Sequence, residues 1–306
     1  MTARQPNQPG LINWIKLITL GIIWGASFMA VSVALNDMGP MSIAAVRILI
    51  GALSVLALIR VMGISLPSLS SGEGRIIWLA AAGMGFFSNA LPFTLLSWGQ
   101  TYVNSGFAGV CMAIVPLFVL PLSHVFVPEE RMTFRRTLGF SVGFVGVLVL
   151  IGLDAFASAG TDFESLARIA CLAASLCYAI GAIITRLCPQ VNMLSLSAAA
   201  LICGSVMIVP VALWQEGVPS LPTTTPLLAI LYLGIFPTAV AQILLVQVAR
   251  SAGPSFLATV NYQVPVWSVI FGALLLSEAV PPQLFAALAL ILGGLLLSRQ
   301  PSRTTV

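Results

Sequence analysis

The sequence predicts an all-α integral membrane protein with ten transmembrane helices. Of the 306 residues, 59% are hydrophobic and 7% are charged, whereas an ordinary soluble domain has about 25% charged residues. The apolar residues form ten stretches, most of them near the roughly 20 residues that a helix needs to cross a bilayer. The stretches are 14–34, 41–61, 76–97, 103–124, 134–153, 166–187, 193–213, 227–248, 255–277 and 283–298. No sizeable water-soluble domain fits between them.

The basic residues predict a cytoplasmic location for both termini. Lys and Arg in short loops stay on the cytoplasmic side of a membrane. With a cytoplasmic N-terminus, Arg168 alone falls on the outer side, and Arg47 lies within the second stretch. The remaining basic residues fall on the inner side, namely Arg4, Lys16, Arg60, Arg75, Arg131, Arg135, Arg136, Arg186, Arg250, Arg299 and Arg303. The net charge of +4 therefore reflects orientation and lipid headgroups, and no exposed basic domain indicates a nucleic-acid partner.

The two halves of the chain are related by a repeat. When 149 is added to the residue number, positions 79–129 show eleven identities with the second half over 51 ungapped positions. Pro116 and Glu129 match Pro265 and Glu278, with the same 13-residue separation in each half. Apolar composition raises the number of chance matches between Leu or Ala residues. The Pro and Glu pairs therefore carry the argument for a duplication.

Each repeat is predicted to contain five spans and to cross the membrane in the opposite sense to the other. An odd number of spans forces this inversion. Inverted repeats are typical of transporters, because two oppositely packed copies can expose a central site to each side in turn. We assign residues 11–153 to the first repeat, residues 154–164 to an outer linker and residues 165–299 to the second repeat.

Several segments resemble the ten-helix EamA-type branch of the drug/metabolite transporter superfamily. They are Trp24–Phe28 with the sequence WGASF, Arg47, Pro116–Glu129 and Pro265–Glu278. The resemblance covers nearly the whole chain, and within the family the chain looks most like the YddG-type exporters of aromatic and other neutral amino acids. The resemblance implies ten helices, a central cavity between the repeats, and efflux of small metabolites across a bacterial inner membrane by alternating access.

Paired prolines predict interruptions of helices near the middle of the membrane. Pro92 and Pro237 are approximate counterparts in the third and eighth stretches, and Pro116 and Pro265 are strict counterparts in the fourth and ninth. Irregular backbone at that depth is tolerated where it lines a cavity or packs against protein. We therefore predict helix breaks or hinges at these four prolines, beside a central cavity.

Polar and aromatic residues around the prolines are the candidate lining of this cavity. They are Trp24, Asn89, Trp98, Met112, Tyr178, Gln242, Asn261, Tyr262 and Gln263. The last three are consecutive and span about 200° of a helix, so they cannot all face one neighbour. Alternatively, the amides join neighbouring helices and the aromatic rings face lipid. Aromatic walls with uncharged donors and acceptors suit a zwitterion with an apolar side chain better than a phosphorylated sugar, which would need several cations.

Arg47, Glu129 and Glu278 are candidate structural or gating charges. Arg47 is the one charge well inside a stretch, and three interpretations are open. Its stem extends to the headgroups, its guanidinium pairs with Glu278, Asp37 or helix-end carbonyls, or it binds a substrate carboxylate. Glu129 and Glu278 follow the fourth helix of each repeat. They cap the helices that follow them, pair with arginines as gates on the two faces, or couple transport to protons.

The residue types favour a carrier over an enzyme or a channel. One histidine, no HExxH motif and no carboxylate pair within a stretch supply neither a nucleophile with its base nor a metal site. Five cysteines without CxxC spacing indicate structural thiols, so no cofactor is expected. The absence of acidic residues at mid-depth favours facilitated diffusion or exchange. We predict a monomeric carrier of neutral amino acids or similar metabolites, with a polyspecific drug exporter, with or without proton coupling, as the alternative.

Overall fold

The computed structural model describes residues 10–127, 133–151, 163–252, 254–257 and 259–298, and all regular structure in these ranges is helical. The α-helices, in chain order, are α1 (Leu11–Ala34), α2 (Pro40–Val61), α3 (Gly72–Met84), α4 (Leu91–Gly99), α5 (Ser105–Cys111), α6 (Val115–Phe126), α7 (Phe134–Ile151), α8 (Phe163–Leu187), α9 (Met193–Glu216), α10 (Thr224–Gly234), α11 (Ala241–Ala252), α12 (Pro254–Leu257), α13 (Val260–Leu275) and α14 (Pro282–Ser298). A π-helical segment, Gly85–Ala90, joins α3 to α4, and another, Ile235–Val240, joins α10 to α11. A short 3₁₀ segment, Met112–Ile114, joins α5 to α6.

Many of these helices are long and apolar enough to cross a membrane. Within the described ranges, seven segments meet that criterion by length and composition: Leu11–Ala34, Pro40–Val61, Gly72–Gly99, Ser105–Phe126, Phe163–Leu187, Met193–Glu216 and Thr224–Val248. The segments Val260–Leu275 and Pro282–Leu297 are shorter apolar helices. Helix lies in each of the ten apolar stretches of the sequence, which confirms the prediction of an all-helical chain.

Several helices begin where the sequence supplies a capping group. Ser71 Oγ accepts a hydrogen bond from Gly74 N at the start of α3, and Asn104 Oδ1 accepts one from Phe107 N at the start of α5. Pro40 stands at the first position of α2, where the missing N–H costs nothing because the first amides of a helix have no intrahelical acceptor. The loops between the long helices can therefore be short.

The helices of the first half pack mainly against helices of the second half. The principal contacts are α1 with α13 and α10, α2 with α9, α4 and α6 with α8, α5 with α13, and α7 with α14. Close approach depends on glycine at two of these interfaces. A Cβ atom at Gly25 would collide with Trp267 of α13, and one at Gly294 of α14 would collide with the backbone of Gly139 and Gly143 in α7. Small residues permit such backbone contact in membrane helices.

The four prolines behave differently from one another. Pro92 stands at the start of α4, directly after a π-helical segment, and Pro237 lies inside the second π-helical segment. Pro116 stands at the start of α6, after the 3₁₀ segment. The prediction of a helix break at Pro265 is wrong, because α13 continues through this residue from Val260 to Leu275.

We expect Gly294→Ala to destabilise the protein and Gly293→Ala to leave it unchanged or slightly more stable. The added methyl at position 294 meets backbone atoms of α7, whereas nothing lies within 4 Å of a Cβ at position 293. Overpacking costs about 1–3 kcal/mol, and replacing a helical glycine by alanine contributes up to about 1 kcal/mol. Thermal unfolding of both purified variants in detergent measures the difference. Equal melting temperatures of the two variants would show that α7 and α14 can move apart without loss of stability, which would contradict this prediction.

Candidate substrate cavity

A cavity of about 340 Å³ lies among the interrupted helices. This volume falls in the range of roughly 300 to 1,000 Å³ that is usual for small-molecule sites. Side chains of α1, α2, α3, α4, α6, α8, α9, α11 and α13, of both π-helical segments and of the 3₁₀ segment line it. The cavity is therefore formed by elements from both halves of the chain.

Aromatic and thioether side chains form much of the cavity surface. Trp24, Phe28, Phe93 and Tyr178 line it together with Met84 and Met112. The Trp24 indole donates a hydrogen bond of 3.2 Å from Nε1 to the carbonyl oxygen of Pro237, which fixes the ring against the second π-helical segment. Such a surface accommodates apolar ligands, and methionine side chains adapt readily to their shape.

Uncharged polar side chains supply the hydrogen-bonding groups. Asn89 Nδ2 donates to the carbonyl oxygen of Met84 at 3.2 Å, and Gln242 Oε1 accepts from Ser197 Oγ at 3.2 Å. Asn261 also lines the cavity, and its side-chain amide makes no hydrogen bond to a residue that the structure describes. Asn261 can therefore offer both a donor and an acceptor to a ligand.

The structure brings six of the nine predicted lining residues to the cavity and places three elsewhere. The six are Trp24, Asn89, Met112, Tyr178, Gln242 and Asn261. Trp98 packs instead on Tyr102, with ring centroids 5.4 Å apart. Gln263 lies against Gly21 of α1, and Tyr262 is outside the lining as well. Successive helical positions are rotated by about 100°, so one of the three consecutive residues of α13 faces the cavity.

Four hydroxyl side chains in the lining were not predicted from the sequence. They are Ser27, Ser88, Ser197 and Thr238. Three of them stand near residues that the sequence did indicate: Ser88 precedes Asn89, Thr238 follows Pro237, and Ser27 belongs to the WGASF segment. Adjacency to an interrupted helix was the available signal. Serine and threonine are too common in membrane helices for the residue type alone to mark a site.

Arg47 is buried at the edge of the cavity. The side chain is 8% exposed, and its guanidinium carbon lies 3.8 Å from the ring centroid of Phe93. A cation–π contact of this kind contributes about 2 kcal/mol when both groups are desolvated. Within the described part of the chain, Arg47 forms no ion pair with Glu278 or Asp37, whose carboxylates accept hydrogen bonds from Ser105 and Thr223. The predicted pairing with these two carboxylates is therefore wrong.

A second, small cavity also has Arg47 in its lining. Its volume is about 30 Å³, and its lining includes Ser97 and Gln100. Gln100 Oε1 accepts a hydrogen bond of 3.2 Å from Ser32 Oγ. This contact joins the last turns of α1 to the end of α4. Arg47 therefore lines both cavities.

Carboxylates link the two halves of the chain at one end of the helix bundle, which we call the Asp37 end (residues 35–42, 100–106, 216–223 and 276–281). Asp37 accepts hydrogen bonds from the amide of Thr223 at 2.7 Å and its hydroxyl at 2.6 Å. Glu216 accepts from the amides of Met41 and Ser42, at 3.0 and 2.8 Å. Carboxylates at helix N-termini satisfy amides that have no intrahelical acceptor and interact favourably with the helix dipole.

Glu278 belongs to the same end. It accepts hydrogen bonds from the amide and hydroxyl of Ser105, at 2.8 and 2.9 Å, and from the amide of Gly106 at 3.1 Å. The predictions that Glu278 caps the following helix or pairs with an arginine are wrong, because the preceding turn aims it at the N-terminus of α5. Ser277 adopts a left-handed φ of 54° in that turn. Glu129, the other predicted gating residue, lies outside the described residues.

No metal site is found within the ranges that the structure describes, since no three His, Cys, Asp or Glu side chains lie together. The five cysteines are free thiols. Cys111, Cys171 and Cys177 are buried among apolar helices, where the thiol contributes packing.

The helices and the cavity together define a multi-pass membrane protein of the transporter class. The chain belongs to the EamA-like transporter family, whose model matches residues 12–152 and 165–300. This finding confirms the family resemblance of the sequence. A crystal structure 20% identical in sequence superposes with a TM-score of 0.67, covering 94% of this chain and 97% of the other, and shows that the fold is shared.

Two relatives are similar over nearly their whole lengths. The inner membrane transporter YedA of Escherichia coli is 26% identical, with coverage of 92% of this chain and 88% of YedA. A Streptantibioticus cattleyicolor protein named "probable terminal-alkyne amino-acid exporter" is 25% identical, with coverage of 93% of this chain and 92% of that protein. The chain is thus a membrane transporter by family.

The stability that the hydrogen bonds between Asp37 and Thr223 contribute should depend on pH only under acidic conditions. Hydrogen bonds from the hydroxyl and the amide of Thr223 hold the pKa of Asp37 below its usual value. A depressed pKa means that the stabilisation is complete above the unfolded value of about 3.9 and is lost as pH falls below it. We expect the difference in melting temperature between the wild type and Asp37→Asn to be constant from pH 5 to 8 and to shrink below about pH 4. A change between pH 6 and 8 would contradict this assignment.

Proposed function

We propose that the protein exports neutral amino acids, aromatic and other apolar ones, or similar small metabolites through the cavity. The observation that carries this proposal is the lining: aromatic and thioether surfaces, free or available amide groups and, among the described residues, a single cation and no carboxylate. An apolar side chain would pack against Met84 and Met112, and an ammonium group would meet the uncharged oxygens of Asn261 and Gln242. The relative named as an amino-acid exporter supports the same substrate class and the YddG-type resemblance.

The proposed architecture is two inverted repeats of five helices, residues 11–153 and 165–299, joined by an outer linker. Packing supports this architecture. When each helix is replaced by its counterpart in the other half, the contact between the two counterparts is also found. The contact of α1 with α13 corresponds to that of α8 with α6, and the contact of α4 with α8 corresponds to that of α11 with α1. The two π-helical segments, Gly85–Ala90 and Ile235–Val240, also occupy matching positions.

The proposed mechanism is alternating access in a bacterial inner membrane, with both termini in the cytoplasm and one chain as the working unit. The relative YedA, an inner membrane transporter, supports this membrane. In this orientation the Asp37 end faces outward. The contacts of Asp37, Glu216 and Glu278 all join residues of different halves at that end, so we infer that the structure represents the conformation closed to the outside.

Counterflow in proteoliposomes tests the proposed substrate class. Vesicles loaded with unlabelled phenylalanine or methionine, with no ion gradient, should transiently accumulate the labelled amino acid. Asn261→Ala should raise the half-saturating concentration about two- to tenfold, since a neutral hydrogen bond contributes about 0.5–1.5 kcal/mol. Trp98→Phe is the matched control and should transport normally. If only drug-like cations are exchanged, the protein is a polyspecific exporter instead.

Removal of the Glu278 side chain should open the Asp37 end. In Glu278→Ala the amides of Ser105 and Gly106 lose their acceptor, which favours the open conformation. Gln100→Cys, in a background without the natural cysteines, reports on this opening. Its thiol should be nearly inaccessible to labelling in the closed state, because Gln100 is 8% exposed. Its labelling by an impermeant maleimide should be faster in Glu278→Ala than in Glu73→Ala, whose carboxylate lies in the first turn of α3. Equal labelling rates would contradict a closing role for Glu278.

A further inference from the structure

A buried guanidinium at the cavity has one donor, Nε of Arg47, without an acceptor among the described residues. Arg47 is 8% exposed and lines both the large and the small cavity. Its Nε makes no hydrogen bond to any residue in the described ranges. The Phe93 ring covers one face of the guanidinium, but the N–H groups lie in the guanidinium plane and point away from that contact. An unsatisfied buried donor is costly, so a partner from outside the chain is expected.

The described carboxylates are engaged elsewhere or exposed. Glu164 pairs with Arg168, and Glu73 is exposed in the first turn of α3. Asp37 accepts hydrogen bonds from Thr223, and Glu216 accepts them from the amides of Met41 and Ser42. Glu278 accepts hydrogen bonds from the N-terminus of α5. Among the described residues, no acidic side chain lines either cavity. The positive charge of Arg47 is therefore not neutralised by the described part of the chain.

We propose that Arg47 binds the carboxylate of the transported solute, which makes a carboxylate a requirement for recognition. This inference rests on the proposed export of a small solute through the cavity and narrows its substrates. A guanidinium presents its donors in a planar fork that matches a carboxylate. Stacking on Phe93 holds that plane in one orientation, and the apolar surroundings strengthen the attraction by lowering the local dielectric constant.

The competing explanation is that water alone satisfies Arg47. The small cavity of about 30 Å³ has room for one or two water molecules, since one requires about 10–15 Å³ measured in this way. Under that explanation, Arg47 contributes to folding and is indifferent to the chemistry of the solute. The two explanations differ in whether a carboxylate is preferred to an uncharged group of the same shape.

Calorimetric titration of the purified protein with two matched pairs of compounds distinguishes them. The pairs are phenylalanine with phenylalaninamide, and 3-phenylpropionate with 3-phenylpropanamide. The wild type should bind each carboxylate about tenfold to a hundredfold more tightly than its amide, as expected for a hydrogen-bonded charge pair. The second pair lacks the amino group, so it tests carboxylate recognition without assuming an amino-acid substrate.

Variants of Arg47 then assign the preference to this side chain. Arg47→Gln should reduce the acid-to-amide ratio to near one by weakening only the carboxylates, and Arg47→Lys should give an intermediate ratio because the charge remains while the fork is lost. Arg60→Gln, in the exposed last turn of the same helix, is the matched control and should keep the wild-type ratio. If Arg47→Gln does not fold, the acid-to-amide ratio of Arg47→Lys tests the assignment. A ratio equal to that of the wild type would contradict a role for the guanidinium.

The outcomes separate this inference from the proposed function. Equal binding of acids and amides by the wild type overturns the role of Arg47 and leaves export of neutral solutes standing. An Arg47-dependent preference for 3-phenylpropionate without binding of phenylalanine supports the carboxylate site and overturns the amino-acid assignment. A preference that survives in Arg47→Gln places the carboxylate elsewhere. Failure of all four compounds to bind overturns both proposals.

Discussion

The hydrocarbon core of a bilayer offers no hydrogen-bond partner, and this constraint determines where the chain can depart from regular α-helix. Both π-helical segments and the 3₁₀ segment contribute residues to the cavity. Carbonyl oxygens there find side-chain donors: Pro237 accepts from Trp24, and Met84 accepts from Asn89. The irregular segments that create space for a solute are thus stabilised by side chains that line the same space. A substitution of Trp24 or Asn89 would therefore affect both the cavity lining and the backbone that forms it.

Charge is distributed unevenly along the bundle axis. At the Asp37 end, each of three carboxylates accepts hydrogen bonds from backbone amides of the opposite half. Under the proposed alternating access, these contacts would break when the halves move apart, because water would solvate both partners at the membrane surface. Arg47, in contrast, is buried within the interior against Phe93. The surface contacts are therefore suited to control movement between conformations, and the buried cation is suited to recognise a solute.

Sequence reasoning predicted the helices and much of the cavity because both follow from local composition. Ten apolar stretches correspond to helix, and the amides and aromatic residues near paired prolines include six lining residues. It failed where the answer depends on tertiary contacts. The predicted break at Pro265 is absent, since α13 continues through this residue and packs against α1. The partner of Glu278 could not be predicted either, since it lies 173 residues away and is set by the packing of α5 beside α13.

The net charge of the solute, rather than the charge of the cavity, determines whether the membrane potential can drive its export. A zwitterion carries no net charge across the membrane, whatever the charge of Arg47, so the membrane potential neither drives nor opposes its movement. A simple monocarboxylate would carry one negative charge outward and gain about 2.3 kcal/mol per 100 mV of inside-negative potential. Recognition of a carboxylate by Arg47 therefore does not by itself impose coupling to the potential. The ammonium group of the solute would decide that, and the uncharged amides of Asn261 and Gln242 accommodate it without adding a titratable group.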